Sequence, residues 1–67
     1  MTDRDEQFVS TLERDGYSVY RNDQIMGYTV VSEHCQHLAV SYTEIRKALR
    51  VSTLIARTKN KLEYMRR

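Results

Sequence analysis

Sixty-seven residues with 40 % hydrophobic and 30 % charged content allow one small domain. A chain this short buries only about 60 % of its unfolded surface, so stability often leans on a partner or a second copy. No run of eighteen apolar residues is present, which excludes a transmembrane helix, and the single cysteine, Cys35, excludes an internal disulfide and fits a reducing, cytoplasmic setting.

Thr2 followed by Asp3 and Asp5 predicts a helix N-cap with acids in the first turn, where the dipole favours them. Phe8, Val9 and Leu12 then form a narrow apolar stripe at helical spacing, and Gly16 stops the helix as the residue taking positive φ. The helix is expected over 2–15. Its acids Asp3, Asp5, Glu6, Glu13 and Asp15 read as a solvated face. The opening Met-Thr-Asp-Arg-Asp-Glu is acidic and unlike a signal peptide.

From Tyr17 the rhythm becomes that of strands, and a β-hairpin is expected over 17–31. With Asn22-Asp23 as a two-residue turn, Tyr17 faces Tyr28 and Val19 faces Met26. Tyr17, Val19, Met26, Tyr28 and Val30 then share one face, and Ser18, Tyr20, Ile25, Gly27, Thr29 and Val31 the other. Ser32 offers a cap for a short helix over 33–39. His34 and His37 would share a face of that helix as a two-histidine clamp, but a structural zinc site needs four ligands and no second Cys/His pair exists. No metal and no cofactor are expected. Cys35 as a nucleophile would need a base and an oxyanion site, and no enzyme is read from this chain.

Ser41 and Glu44 form an S-x-x-E capping box, with Val40 and Ile45 as the matching hydrophobic staple. A basic helical segment is therefore expected over 41–66. From Ser41 to Arg67 the chain holds eight Lys/Arg against two acids, a local charge of +6; the preceding forty residues hold three Arg against seven acids, a charge of −4. The whole-chain +2 conceals this polarity. As one helix of about 25 residues, about 37 Å long, the segment carries Arg46, Arg50, Thr53, Arg57, Asn60, Lys61 and Tyr64 as a polar stripe. Ile45, Ala48, Leu49, Ile55, Ala56 and Leu62 fall largely on the opposite side.

As two helices, Ser41-Tyr42-x-Glu44-Ile45, Leu49-x-Val51-Ser52 and Arg57 resemble the helix-turn-helix of sigma-factor region 4 and of many small repressors. The resemblance covers about a third of the chain, residues 41–62. Arg50 stands where that family's turn usually has Gly, and the interval from Ser52 to Ile55 is one residue short. The resemblance implies that Ser52 caps a recognition helix and that Thr53, Leu54 and Arg57 face the major groove. Both readings of the segment stay open on the sequence, and both project Arg46, Arg50 and Arg57 from one end of a small α+β unit.

A basic helical segment is the usual footprint of a polyanionic partner, nucleic acid above all. The expected function is that of a small nucleic-acid-binding regulator meeting duplex DNA through Arg46, Lys47, Arg50, Thr53, Arg57, Lys59 and Lys61, with Thr53 and Arg57 nearest the bases. A homodimer is expected of a DNA reader this small. The rival reading is a protein-binding inhibitor, adaptor or assembly factor of the phage or plasmid type. It would meet a host protein through the hairpin residues Tyr20, Ile25 and Val31 or through the C-terminal helix.

Overall fold

The computed structural model describes residues 3–65. Thr2, expected as the first cap, and Arg66 and Arg67 lie outside the described residues. The elements in order are α1 (Asp3–Arg14), β1 (Ser18–Asn22), a 3₁₀ turn (Asp23–Ile25), β2 (Gly27–Val31), β3 (His37–Ser41), α2 (Tyr42–Lys47) and α3 (Val51–Met65). The fold is α+β, a three-stranded antiparallel sheet in the order β1-β2-β3 with three helices.

The first helix ends as its glycine predicts. Gly16 takes φ 97, its N–H donates to the Glu13 carbonyl at 3.1 Å, and Tyr17 N–H reaches back to the Leu12 carbonyl at 3.0 Å. This pair of bonds is the Schellman arrangement, which satisfies carbonyls the helix would leave open. Phe8 and Leu12 are fully buried. Asp5, read as part of a solvated face, is instead only 4 % exposed, because its spacing from Phe8 and Leu12 puts it on their stripe. The Tyr28 hydroxyl donates to its carboxylate at 3.4 Å. Burial and then the adjoining Asp5 charge raise the Tyr28 pKa above its usual value.

The hairpin forms, but in another register. Val19 pairs with Val30 and Arg21 with Tyr28, in place of Val19 with Met26 and Tyr17 with Tyr28. A two-residue turn at Asn22-Asp23 would need positive φ at Asn22 in either of the usual hairpin types. Asn22 instead stays extended, its side chain accepting from Gln24 N–H at 3.0 Å, and the positive φ falls on Met26 (φ 51). The loop takes up Asp23–Met26, so each partner moves by four positions along the opposite strand. An even shift preserves which face each strand residue occupies. Val19, Tyr28 and Val30 therefore still look to the core, joined by Leu38 and Val40 of β3. Tyr17 and Met26 leave the ladder, and Met26 is exposed.

The short helix expected over 33–39 does not exist; residues 37–41 are β3, paired antiparallel to β2. Ser32 does cap, but it caps a turn. Its hydroxyl accepts from Gln36 N–H at 3.1 Å and its carbonyl from Cys35 N–H at 3.0 Å. Cys35 follows at φ 63, which is the pattern of a three-residue hairpin loop with its last residue left-handed. That position normally takes Gly or Asn, and a side chain with a Cβ costs about 1–2 kcal/mol there. Cys35→Gly is therefore expected to raise stability by about 0.5–1 kcal/mol, read as a higher urea midpoint at unchanged slope. An unchanged or lower midpoint would contradict the strain argument.

The capping box at Ser41 is complete: Ser41 Oγ accepts from Glu44 N–H at 3.1 Å, and Glu44 Oε2 accepts from Ser41 N–H at 3.2 Å. The segment after it is two helices. α2 stops at Lys47, Ala48 turns to φ −61 and ψ 132, and α3 begins at Val51. Ser52 thus lies inside the first turn of α3, whose opening bonds run from Thr53 and Leu54 N–H to the Arg50 carbonyl. The break has a packing cause. At 100° per residue Ile45 would lie about 120° round one continuous helix from the stripe of Val51, Ile55, Thr58 and Leu62, yet all five are buried in the core. Two helices let both stripes face it. Leu49 and Ala56, assigned by the single-helix reading to the apolar side, are exposed, Leu49 by 97 %.

Candidate functional site

A groove of about 860 Å³ runs between β3, α2 and the first three turns of α3. Leu38, Val40 and Leu54 contribute apolar surface to it, while Lys47, Arg50, Arg57 and Lys61 bring four cations. Glu44 is the one acid among its lining residues. Of the seven residues expected to meet nucleic acid, five (Lys47, Arg50, Thr53, Arg57 and Lys61) line this groove. Lys47 closes α2, Arg50 sits in the turn, and the other three recur along α3 at steps of four, which sets them on one side of the helix. The first turn of α3 contains no acid, so the positive end of its dipole stands uncompensated between Arg50 and Arg57.

Arg46 and Lys59 are directed elsewhere. The Arg46 guanidinium lies 6.0 Å from the centroid of the Tyr42 ring, and Arg21 lies 5.8 Å from the same centroid, within cation–π reach. The Tyr42 hydroxyl accepts from Arg21 Nε at 2.9 Å and donates to Asp23 Oδ1 at 3.0 Å. That hydroxyl, and then Arg21, hold the Asp23 carboxyl below its usual pKa. Lys59 pairs with Asp15, and the hydrogen bond from its ammonium lowers the Asp15 pKa likewise. The expected joint projection of Arg46, Arg50 and Arg57 is thus replaced by Arg50 and Arg57 on the groove and Arg46 on Tyr42.

Arg4, which sequence reasoning passed over, braces the turn that follows α2. Its Nη1 donates to the carbonyls of Ile45 and Arg46 at 2.9 and 2.8 Å, and its Nη2 to that of Leu49 at 3.4 Å. A guanidinium fork is suited to collecting the open carbonyls at a helix C-terminus. It joins α1 to the end of α2 and fixes the turn that presents Leu49 and Arg50. An arginine among first-turn acids looks like local charge balance, so only the tertiary contact reveals this role.

Near the C-terminal end of α3, Leu62 and Glu63 border a second hollow of about 190 Å³, shared with Asp15, Glu33 and His34.

Tyr20, 60 % exposed, and half-buried Val31 share the outer face of the sheet, whereas Ile25 lies in the 3₁₀ turn beyond the strand end. His34 and His37 sit in a hairpin loop and at the start of β3, so the helical face that would have paired them is absent. Among the described residues no helix is long and apolar enough to cross a membrane. No family model, curated protein or solved structure matches this chain.

Proposed function

We propose that this protein binds nucleic acid, duplex DNA in the first place, through the cationic groove between α2 and α3. The observation that carries the reading is the convergence of Lys47, Arg50, Arg57 and Lys61 on one groove with a single acid among them. Such a cluster repels itself until anions neutralise it, and a phosphate backbone supplies a row of them. Lys47, Arg50, Arg57 and Lys61 would each neutralise a phosphate, and Thr53 and Arg57, both exposed on α3, would be the side chains to reach base edges. One copy covers a small footprint, so a specific site would be read by two copies.

The test is fluorescence anisotropy of a labelled mixed-sequence duplex at about 50 and about 200 mM salt. Four phosphate contacts give a slope near −3.6 in log affinity against log salt, so affinity is expected to fall on the order of 100-fold between the two conditions. The stoichiometry of the same titration reads the copy number. No binding at the lower salt overturns the proposal.

A further inference from the structure

β3 is an edge strand, since among the described residues only β2 has strand neighbours on both sides. The ladder settles which way the backbone groups of β3 turn. At one end of the β2–β3 pair Ser32 N–H donates to the Gln36 carbonyl at 3.0 Å, and at the other Tyr42 N–H donates to the Met26 carbonyl at 2.8 Å. Bonded pairs recur at every second residue of an antiparallel ladder. Tyr28–Val40 and Val30–Leu38 are therefore the bonded pairs between those ends, and His37 and Ala39 turn their N–H and C=O groups away from β2. Ser41 turns the same way, but Glu44 Oε2 occupies its N–H.

Ala39 belongs by register to the outer face with Thr29, yet it lines the basic groove. Its outward-turned backbone accounts for both facts. One wall of the groove is thus an open strand edge, beside apolar Leu38, Val40 and Leu54 and beneath Lys47, Arg50, Arg57 and Lys61. Proteins usually blunt such edges with lysine, proline or a bulge, and the stretch from His37 to Ser41 contains neither residue and pairs without interruption.

We propose that the groove receives an extended acidic segment of a partner protein as a fourth strand on β3. The partner's backbone would bond to Ala39 and His37, its apolar side chains would meet Leu38 and Leu54, and its acids would meet the four cations. A second copy of this chain is disfavoured as occupant, because its β3 would bring a like-charged rim with it. Phosphates need only the cations, so this inference goes beyond the nucleic-acid reading. Arg50 and Arg57 serve both ligands, which makes the two mutually exclusive.

The probe is a short fluorescein-labelled peptide of alternating valine and glutamate, with the valine–lysine peptide as control. The acidic peptide is expected to bind and the basic one not. Ala39→Pro removes the outward N–H, at an edge position where proline is tolerated, and is expected to weaken the acidic peptide by about tenfold, the worth of one hydrogen bond at an interface. In the wild-type protein, exchange of the Ala39 amide hydrogen should slow on peptide addition, a readout that decides the matter even if the variant folds poorly. Equal peptide affinity in both proteins with no slowing at Ala39 would reduce the contact to ion pairing and overturn strand addition, as would failure of the acidic peptide to bind. Loss of duplex binding by the wild-type protein alone sinks the nucleic-acid reading and leaves this one standing.

Discussion

Arg50→Glu combined with Arg57→Glu is expected to abolish duplex binding at about 50 mM salt while leaving the fold intact. Both side chains are exposed on the groove, and neither makes a side-chain hydrogen bond or ion pair among the described residues. Surface changes of this kind usually shift stability by no more than about 0.5 kcal/mol, so the urea midpoint should barely move. The groove's charge, by contrast, passes from four cations against Glu44 to two cations against three acids. The milder pair Arg50→Gln and Arg57→Gln separates mechanism from mere repulsion. It removes two phosphate contacts and should flatten the salt slope by about two. Arg46→Gln is the internal control, because its guanidinium faces Tyr42; its effect on affinity should be smaller than that of either groove arginine. Retained affinity in the double glutamate variant would place the nucleic-acid surface elsewhere or remove it altogether.

The parts of the fold that the sequence announced are those fixed by local chemistry. Gly16 ends α1 because a left-handed residue is needed there, and Ser41 with Glu44 starts α2 through bonds spanning three residues. Such devices involve neighbours only, so the chain displays them. The errors occur where a local signal was missing or pointed the wrong way. Cys35 occupies a left-handed turn position usually filled by Gly or Asn, and without that mark residues 33–39 resembled a capped helix more than a loop and a strand. Leu38 and Val40 alternate as strand residues do, but three residues are too few to establish a period. Asn22-Asp23 suggested a tight turn; Asn22 instead used its side chain to hold Gln24 and lengthened the loop. Faces survived that error because the register moved by an even number.

The break between α2 and α3, one of the two readings open on the sequence, carries no strong local stop signal. Neither Gly nor Pro stands at 48–50, and the helix ends because Ile45 and Val51 both need the core and because Arg4, more than forty residues away, collects the open carbonyls. The same distinction governs the site. Lys47, Arg50, Arg57 and Lys61 were legible as a charge pattern with Thr53 between them, since long cationic side chains stay on the surface whatever the helix does. The diversion of Lys59 to Asp15 and of Arg46 to Tyr42 depends on which elements pack together. So does the strand edge beside the cations, which no composition or spacing could disclose.

Gly27→Ala is expected to remove most of the protein's stability. Gly27 does not occupy the left-handed region, so conformational freedom is not what it provides. It provides room. A Cβ added there would stand 2.2 Å from the Val40 carbonyl oxygen and 2.6 Å from the Ser41 Cα. Both are backbone atoms in a paired strand, so neither can swing aside as a side chain would. Relief requires β3 to lift from β2 where Tyr42 N–H meets the Met26 carbonyl, and Ser41 carries the cap of α2 with it. Overpacking at a site that cannot yield costs about 3 kcal/mol or more. A domain of this length holds about 3–10 kcal/mol in all, so the variant should lose most of its stability. Gly16→Ala is the instructive comparison: it must adopt φ 97, but its near neighbour is the end of the Glu33 side chain, which can move, and it should cost less, about 1–2 kcal/mol. Urea melts followed by circular dichroism order the two. If Gly27→Ala unfolds within about 0.5 kcal/mol of the parent, the close crossing of β2 and β3 is wrong, and with it the placement of α2 as one wall of the groove.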